Sequence, residues 1–229
     1  MKRTINYCLT GLFIFSLVIL MISFSIGVPI YFRPFYYLHI NGLNLVKNTG
    51  WSFNEIKAAY DDVLDFLVLN QPFATGVLRY SEQGKAHFED CKILFDINFY
   101  CLLGSFIVSM TLIVLDKFKK IELKNIIGFR PIFFSACLII LLLLIIGIFS
   151  IVDFNQVFTL FHKILFPGKN NWIFTPEFDQ IILVLPFAFF RNCAIFIGII
   201  LLTLTILSII YSIIYRYKQK NDKIRLQNE

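Results

Sequence analysis

The sequence predicts an α-helical polytopic membrane protein: four transmembrane helices with a small mixed extracellular cap. Three observations predict it. Apolar residues make up 58% of the 229 and charged residues only 16%, against about 25% charged in a soluble domain. Four apolar stretches reach the roughly 20 residues that a helix needs to cross a bilayer. The basic residues gather on alternate sides of those stretches. Mean hydropathy is +0.74.

The spans fall near 8–30, 97–115, 131–152 and 193–215. The first follows Lys2 and Arg3, a basic start like that of a signal peptide. It is long for a signal h-region and lacks a small-x-small cleavage site, so it reads as a retained helix. The N-terminus, the 116–130 loop and the 216–229 tail hold twelve of the 21 basic residues and four acids, a balance of +8. The two remaining loops, 31–96 and 153–192, balance at −2. The positive-inside rule then makes both termini cytoplasmic and the two long loops extracellular. The net charge of +6 is therefore a topology signal rather than a nucleic-acid footprint. The whole chain, 1–229, reads as a single membrane domain.

The first outer loop opens with "PIYFRPFYYLHI" (29–40), an aromatic run suited to a membrane interface and in part to a strand. "WSFNEIKAAYDDVLDFLVLNQP" (51–72) reads as an amphipathic helix. Ser52 and Glu55 stand at capping-box spacing; Ile56, Tyr60, Val63 and Leu67 recur at helical intervals; Pro72 ends it. "FATGVLRYS" (73–81) reads as a short strand or extended turn. "LRYSEQGKAHFEDCK" (78–92) is a charged helix start that runs into the second span.

The second outer loop begins with "DFNQVFTLFHKILFPG" (153–168), another amphipathic helix. Asp153 is its expected N-cap. Phe154, Phe158, Phe161 and Leu165 form an apolar stripe suited to lying in the interface. Pro167-Gly168 ends it. Thr175 with Pro176 signals a further helix start, and Pro186 should kink or break the segment after it.

No P-loop, GxSxG, HExxH or dinucleotide fingerprint is present. Nothing calls for a metal, a nucleotide or another cofactor. The five cysteines, with Cys91 the one in an outer loop, make neither a disulfide framework nor a CxxC pair. The three histidines, His39, His87 and His162, all lie in the outer loops. Imidazole exchanges protons near neutral pH, so these are the first candidates for chemistry. On a helix, Asp90 and Cys91 would share the face of His87, with Glu82 nearby. A solvated, charged helix start is the plainer account of that stretch, and an interfacial ring the plainer account of His162. His39, in an aromatic run without an acid, reads as structural. A Cys91–His87 pair could form an acyl-enzyme, but a lone cysteine is more often a small apolar residue.

The blocks "YSEQGKAHFEDCK" and "DFNQVFTLFHKILFPGKNNWIFTPEFDQIILVLPFAFF", with "PFYYLHINGL" after the first span, resemble a family of integral membrane proteins. It includes the lipoprotein intramolecular transacylases of low-GC Gram-positive bacteria. The resemblance covers nearly the whole chain. Its most specific parts are the spacing of Glu82, His87 and Asp90 and the block from Phe161 to Phe174. Cys91 stands where a plain aliphatic residue is expected.

The resemblance implies an acyltransferase of the cell membrane with its active site at the outer face. Its substrates are diacylglyceryl-modified lipoproteins, met among membrane lipids. The sn-2 acyl chain moves from glycerol to the free α-amine, leaving an N-acyl, lyso-form lipoprotein. It also implies that His87 and His162 are the essential histidines. In that reading His87, oriented by Asp90, is the base for the amine, and His162 polarises the carbonyl or protonates the leaving oxygen; the two roles can be exchanged. Phe158, Phe161, Trp172 and Glu82 would bind the substrate. Two rivals remain at this point. One is a Cys91-dependent N-acyltransferase with a separate phospholipid donor. The other is a non-enzymatic membrane partner protein; ionisable groups kept out of the spans count against a transporter.

Overall fold

The computed structural model describes residues 2–228. Glu229 and the Lys223 side chain, both within the charge balance of the tail, lie outside the described residues. The helices, in chain order, are α1 (Lys2–Tyr31), α2 (Pro34–Gly42), α3 (Leu45–Thr49), α4 (Phe53–Leu69), α5 (Glu82–Lys117), α6 (Pro131–Val152), α7 (Phe154–Leu165), α8 (Ile181–Val184) and α9 (Phe187–Asn228). Among the described residues, α1, α5, α6 and α9 are long and apolar enough to cross a membrane. The chain divides into two compact units.

One unit comprises the residues up to Ser25, Tyr100–Gly147, and those from Gly198 on. Its apolar centre is Phe13, Leu17 and Leu112. Small hydroxyl residues let the helices approach closely, as is usual for packing in lipid. Ser16 and Ser109 share a hydrogen bond of 2.9 Å, and Ser135 donates to the Ile14 carbonyl at 3.1 Å. The outward faces carry exposed Leu, Ile and Phe in every span, for example Phe15, Phe106, Leu141 and Leu207. That pattern is what lipid contact requires, since lipid tails rather than water are the solvent.

The other unit comprises Ile26–Phe99 and Ile148–Ile197. Its core is built on α4, whose N-terminus carries the expected capping box: Ser52 accepts from Glu55 N–H, and Glu55 accepts from Ser52 N–H. Ile56, Val63, Leu64 and Leu67 are buried along one face of α4. Tyr36 of α2 stacks on Tyr60 at 3.8 Å and donates its hydroxyl to the Val184 carbonyl at 2.7 Å. Arg33 bridges Asp61 and Asp65 of α4.

Some expectations need correction. The unit has no strand among its described residues; the aromatic run 29–40 is the end of α1 and most of α2. Pro34 at the first helical turn pre-sets the helical φ, and burial of Tyr36 and Ile40 at i, i+4 overrides their β-propensity. For residues 73–81, read as a short strand or an extended turn, the structure has the turn, with Thr75 donating its hydroxyl to the Leu78 carbonyl. The helix start at Thr175-Pro176 yields only a turn, in which the Thr175 carbonyl accepts from the N–H of Phe178 and Asp179. Pro186 does separate α8 from α9.

Helix α5 has 36 residues. At 1.5 Å per residue it is about 54 Å long, nearly twice the ~30 Å of a hydrocarbon core. It contains a window long and apolar enough to cross a membrane, and its first turns, up to Asp96, are charged.

Candidate active site

The site begins with the cap of α5. Ser81 Oγ accepts from Gly84 N–H at 2.9 Å and is itself anchored to Asp179, which accepts from both Ser81 N–H and Ser81 Oγ–H. Asp179 is 4% exposed. This buried carboxylate fixes where α5 starts, and hence where His87 points. Glu82 sits exposed in the first turn, where a negative charge suits the helix dipole. A Cβ at Gly84 would collide with Asp179 Oδ1. Gly84→Ala is therefore expected to destabilise the protein by about 2 kcal/mol, the typical cost of overpacking. Thermal melting in detergent checks it; an unchanged or raised midpoint would contradict it.

Helix α7 is capped by Asp153, which accepts from Gln156 N–H at 3.1 Å. Its buried line differs from the expected stripe. Phe154 and Phe158 face inward, each 5.3 Å from Phe187. The next inward places, i+4 apart, go to His162 and Phe166, which are buried, while Phe161 and Leu165 are exposed. The i+4 row stays on one face more closely than the i+3 step does. The exposed edge, with Leu160 and Ile164, is apolar and open.

These two helices bring His87 and His162 together. Their ring centroids lie 6.0 Å apart, and both residues are under 9% exposed. Phe166 lies 4.9 Å from His87, Phe174 5.4 Å from His87, and Phe158 4.3 Å from His162. The Pro167-Gly168 turn returns the chain, and Trp172 covers His162 at 4.8 Å. Phe161 touches the same ring from the exposed side. His39 stands apart: its Nδ1 bonds the Phe35 carbonyl and its ring packs on Phe35 and Phe189.

The two imidazoles differ in their partners. His162 Nδ1 is 2.8 Å from the Phe158 carbonyl. A carbonyl only accepts, so Nδ1 carries the hydrogen and Nε2 presents its lone pair. His87 Nε2 is 3.3 Å from Cys91 Sγ, and its Nδ1 is buried without a hydrogen-bond partner among the described residues. Burial pushes His87 down to about 4, and His162 adds to the shift. Burial also lowers His162, against the Phe158 hydrogen bond. Both rings are thus neutral at pH 7. Burial pushes the Cys91 thiol up to about 12, with the Asp90 charge adding to it. A thiol in that state is a poor nucleophile.

Asp90 does not hold His87. Its carboxylate accepts from Lys169 Nζ at 2.5 Å and from Asn171 Nδ2 at 2.8 Å. Burial raises its pKa, but those hydrogen bonds outweigh it and hold the carboxyl below its ordinary value. The expected orientation of His87 by Asp90 is not seen: His87 Nε2 meets Cys91, and the Asp90 carboxylate is taken up by two donors of the 169–171 loop. Asp90 instead clasps that loop to α5, one turn from His87. Phe166, Phe174, Lys169 and Asn171 were not singled out from sequence. No group of three or more His, Cys, Asp or Glu among the described residues has metal-ligand spacing.

The profile of the lipoprotein intramolecular transacylase family Lit matches residues 11–190. Among solved structures, the membrane-integral lipoprotein intramolecular transacylase Lit from Bacillus cereus is similar at 26% identity. That match covers 97% of this chain and 100% of the other, with a TM-score of 0.84. Two variants of that protein with one histidine replaced are also similar, each with a TM-score of 0.78. The arginine variant is 25% identical, over 97% of this chain and 96% of the other. The alanine variant is 26% identical, over 97% of both chains. No curated protein sequence matches the chain.

Proposed function

The chain belongs to the lipoprotein intramolecular transacylase family, and from that premise we propose that His162 is the base and His87 the hydrogen-bond donor of the transfer. The reaction moves the sn-2 acyl chain of diacylglyceryl-cysteine to the free α-amine, giving the N-acyl, lyso-form lipoprotein. The charge asymmetry of the loops supports a site at the outer face of the membrane, where the lipoprotein's ester and amine lie. Phe158, Phe161 and Trp172, with the exposed apolar edge of α7, suit the acyl chains. Glu82, exposed at the start of α5, suits the polar end of the substrate.

Donor and acceptor belong to one molecule, so much of the catalysis is proximity. The neutral α-amine attacks the ester carbonyl, forming the C–N bond. His162 Nε2 takes the proton the nitrogen sheds. The carbonyl oxygen becomes an oxyanion and accepts a hydrogen bond from His87. With the Cys91 thiol donating to Nε2, His87 carries its hydrogen on Nδ1, the nitrogen that has no partner among the described residues. A neutral imidazole is a suitable electrophile where burial keeps it uncharged. The C–O bond then breaks, and His162 returns its proton to the glycerol oxygen. An amide and a hydroxyl result, with no net proton change. The observation that carries the assignment is the pairing itself: one imidazole with its base nitrogen free, facing another with an orphaned buried nitrogen.

A pH–rate profile with a synthetic diacylglyceryl lipopeptide tests it. The substrate amine, with a pKa of about 7.7–8.0, must be neutral to attack, so log kcat/KM should rise with slope one up to that range. A base with the usual histidine pKa of about 6.5 would steepen the slope to two below pH 6.5. Because both rings are held neutral by burial, the slope should remain one through pH 6.5. Steepening there would contradict the assignment. Stability follows the same sign. Above pH 6.5 His87 is neutral folded and unfolded. As pH falls toward 4 the unfolded chain takes up a proton that the native site refuses, and about 3 kcal/mol is lost.

A further inference from the structure

Among the described residues, His87 Nδ1 and Asn171 Oδ1 are buried side-chain atoms without a hydrogen-bond partner, as is Ser212 Oγ elsewhere in the chain. The first is the proposed oxyanion donor. The second is an acceptor whose direction is set by its own amide. Asn171 Nδ2 donates to Asp90 Oδ2 at 2.8 Å. An ionised carboxylate cannot donate, so the amide cannot be turned round. Its carbonyl oxygen is therefore committed to the opposite side. A buried acceptor left without a donor is costly, and native proteins keep few of them.

The position of this oxygen narrows what it awaits. Asn171 precedes Trp172, whose ring lies 4.8 Å from His162. It is tied to Asp90, one turn of α5 from His87. Lys169, exposed and paired with Asp90, gives this loop a polar character. The reacting head of the substrate offers ester and thioether acceptors on its lipid side. Its N–H donors are the α-amine and the peptide amide beyond it. The peptide leaves toward water; the amine must come to the imidazoles.

We infer that Asn171 is a substrate-positioning residue whose Oδ1 accepts a hydrogen bond from the lipoprotein's α-amine. One N–H of the amine goes to Asn171, which leaves a second facing the base and the lone pair aimed at the carbonyl. The Asp90–Lys169 clasp holds the amide in place for this. The inference rests on the reading that the amine reacts beside His162, but its test does not need turnover.

The test uses two non-reacting lipopeptides in which the sn-2 ester is replaced by an ether. One has the α-amine; in the other that amine is replaced by hydrogen. Binding to the full chain in lipid nanodiscs is measured at pH 9, where the amine is mostly neutral and attraction to the Asp90 charge is small. The wild type is expected to prefer the amine-bearing ligand about tenfold, a factor within the range for one satisfied buried acceptor. Asn171→Ala and Asn171→Ser, the second retaining a small polar group in case the first does not fold, should bring the ratio close to one. A residue that only holds the loop would weaken both ligands alike and leave the ratio intact. That result, or a wild type without preference, would overturn the inference. Full turnover in a His162 variant would instead sink the base assignment and leave the binding ratio standing.

Discussion

Replacing His162 with alanine is expected to lower kcat by about 10²–10⁴-fold, the usual contribution of a positioned general base. KM should change little, because in the proposed site the acyl chains are held by the surrounding aromatic rings. The expectation rests on the bond from Nδ1 to the Phe158 carbonyl, 2.8 Å long. That bond fixes both the tautomer and the ring plane, so the lone pair of Nε2 is presented without a reorienting step. Burial lowers the pKa of His162. The base is weaker for that, but it is present in its working form at neutral pH. Residual activity in His162→Ala would report what proximity alone supplies. Turnover of a synthetic diacylglyceryl lipopeptide by purified variants measures it, with a melting curve to verify folding. A kcat within tenfold of wild type would remove His162 from the machinery.

Replacing His87 with alanine is the second large effect expected, about 10²–10³-fold in kcat, as for the loss of one oxyanion donor. The ring is 7% exposed and packed between Phe166 and Phe174. Such a low-dielectric setting makes a neutral N–H donor valuable and a charged one costly. His87→Gln keeps an amide donor in a similar volume and should recover part of what alanine loses. A base could not be rescued that way, since an amide does not accept a proton at neutral pH. Equal losses in the alanine and glutamine variants would contradict the donor role and favour exchanging the two histidines.

The parts of this molecule that could be read from sequence are those governed by local rules. The spans follow from apolar length, and the ends of α4 and α7 follow from Ser52, Glu55 and Asp153 at cap spacing. All three histidines were candidates by type and place, and it was the resemblance to a known family that singled out His87 and His162. Non-local contacts were hidden. Asp90 meets Lys169 and Asn171 across some eighty residues of sequence, and no spacing rule reaches that far. Residue type alone did not show which row of α7 is buried. Its apolar residues suggested a stripe through Phe161 and Leu165, but the buried row runs through His162 to Phe166. A polar residue on the inward row of an otherwise apolar helix was the available signal. The aromatic run at 29–40 was read partly as strand by propensity, but Pro34 and the burial of Tyr36 and Ile40 make its second part helix α2.

Cys91 changes meaning between the two levels. In sequence it was a rival nucleophile, four residues from His87. In the structure its thiol is held protonated, at about 12, and lies against His87 Nε2 at 3.3 Å. It is placed to set the tautomer of the imidazole rather than to attack an ester.

The central claim is that two imidazoles carry an acyl chain from oxygen to nitrogen within one lipoprotein molecule. Mass spectrometry of lipoprotein N-terminal peptides tests it most directly, in cells that depend on this chain and carry either His87→Ala or His162→Ala. The expected result is a diacylglyceryl-cysteine with a free α-amine in both variants and the N-acyl, lyso-form peptide in wild type alone. Abundant N-acyl, lyso-form peptide in either variant, at wild-type levels of membrane-inserted protein, would contradict it.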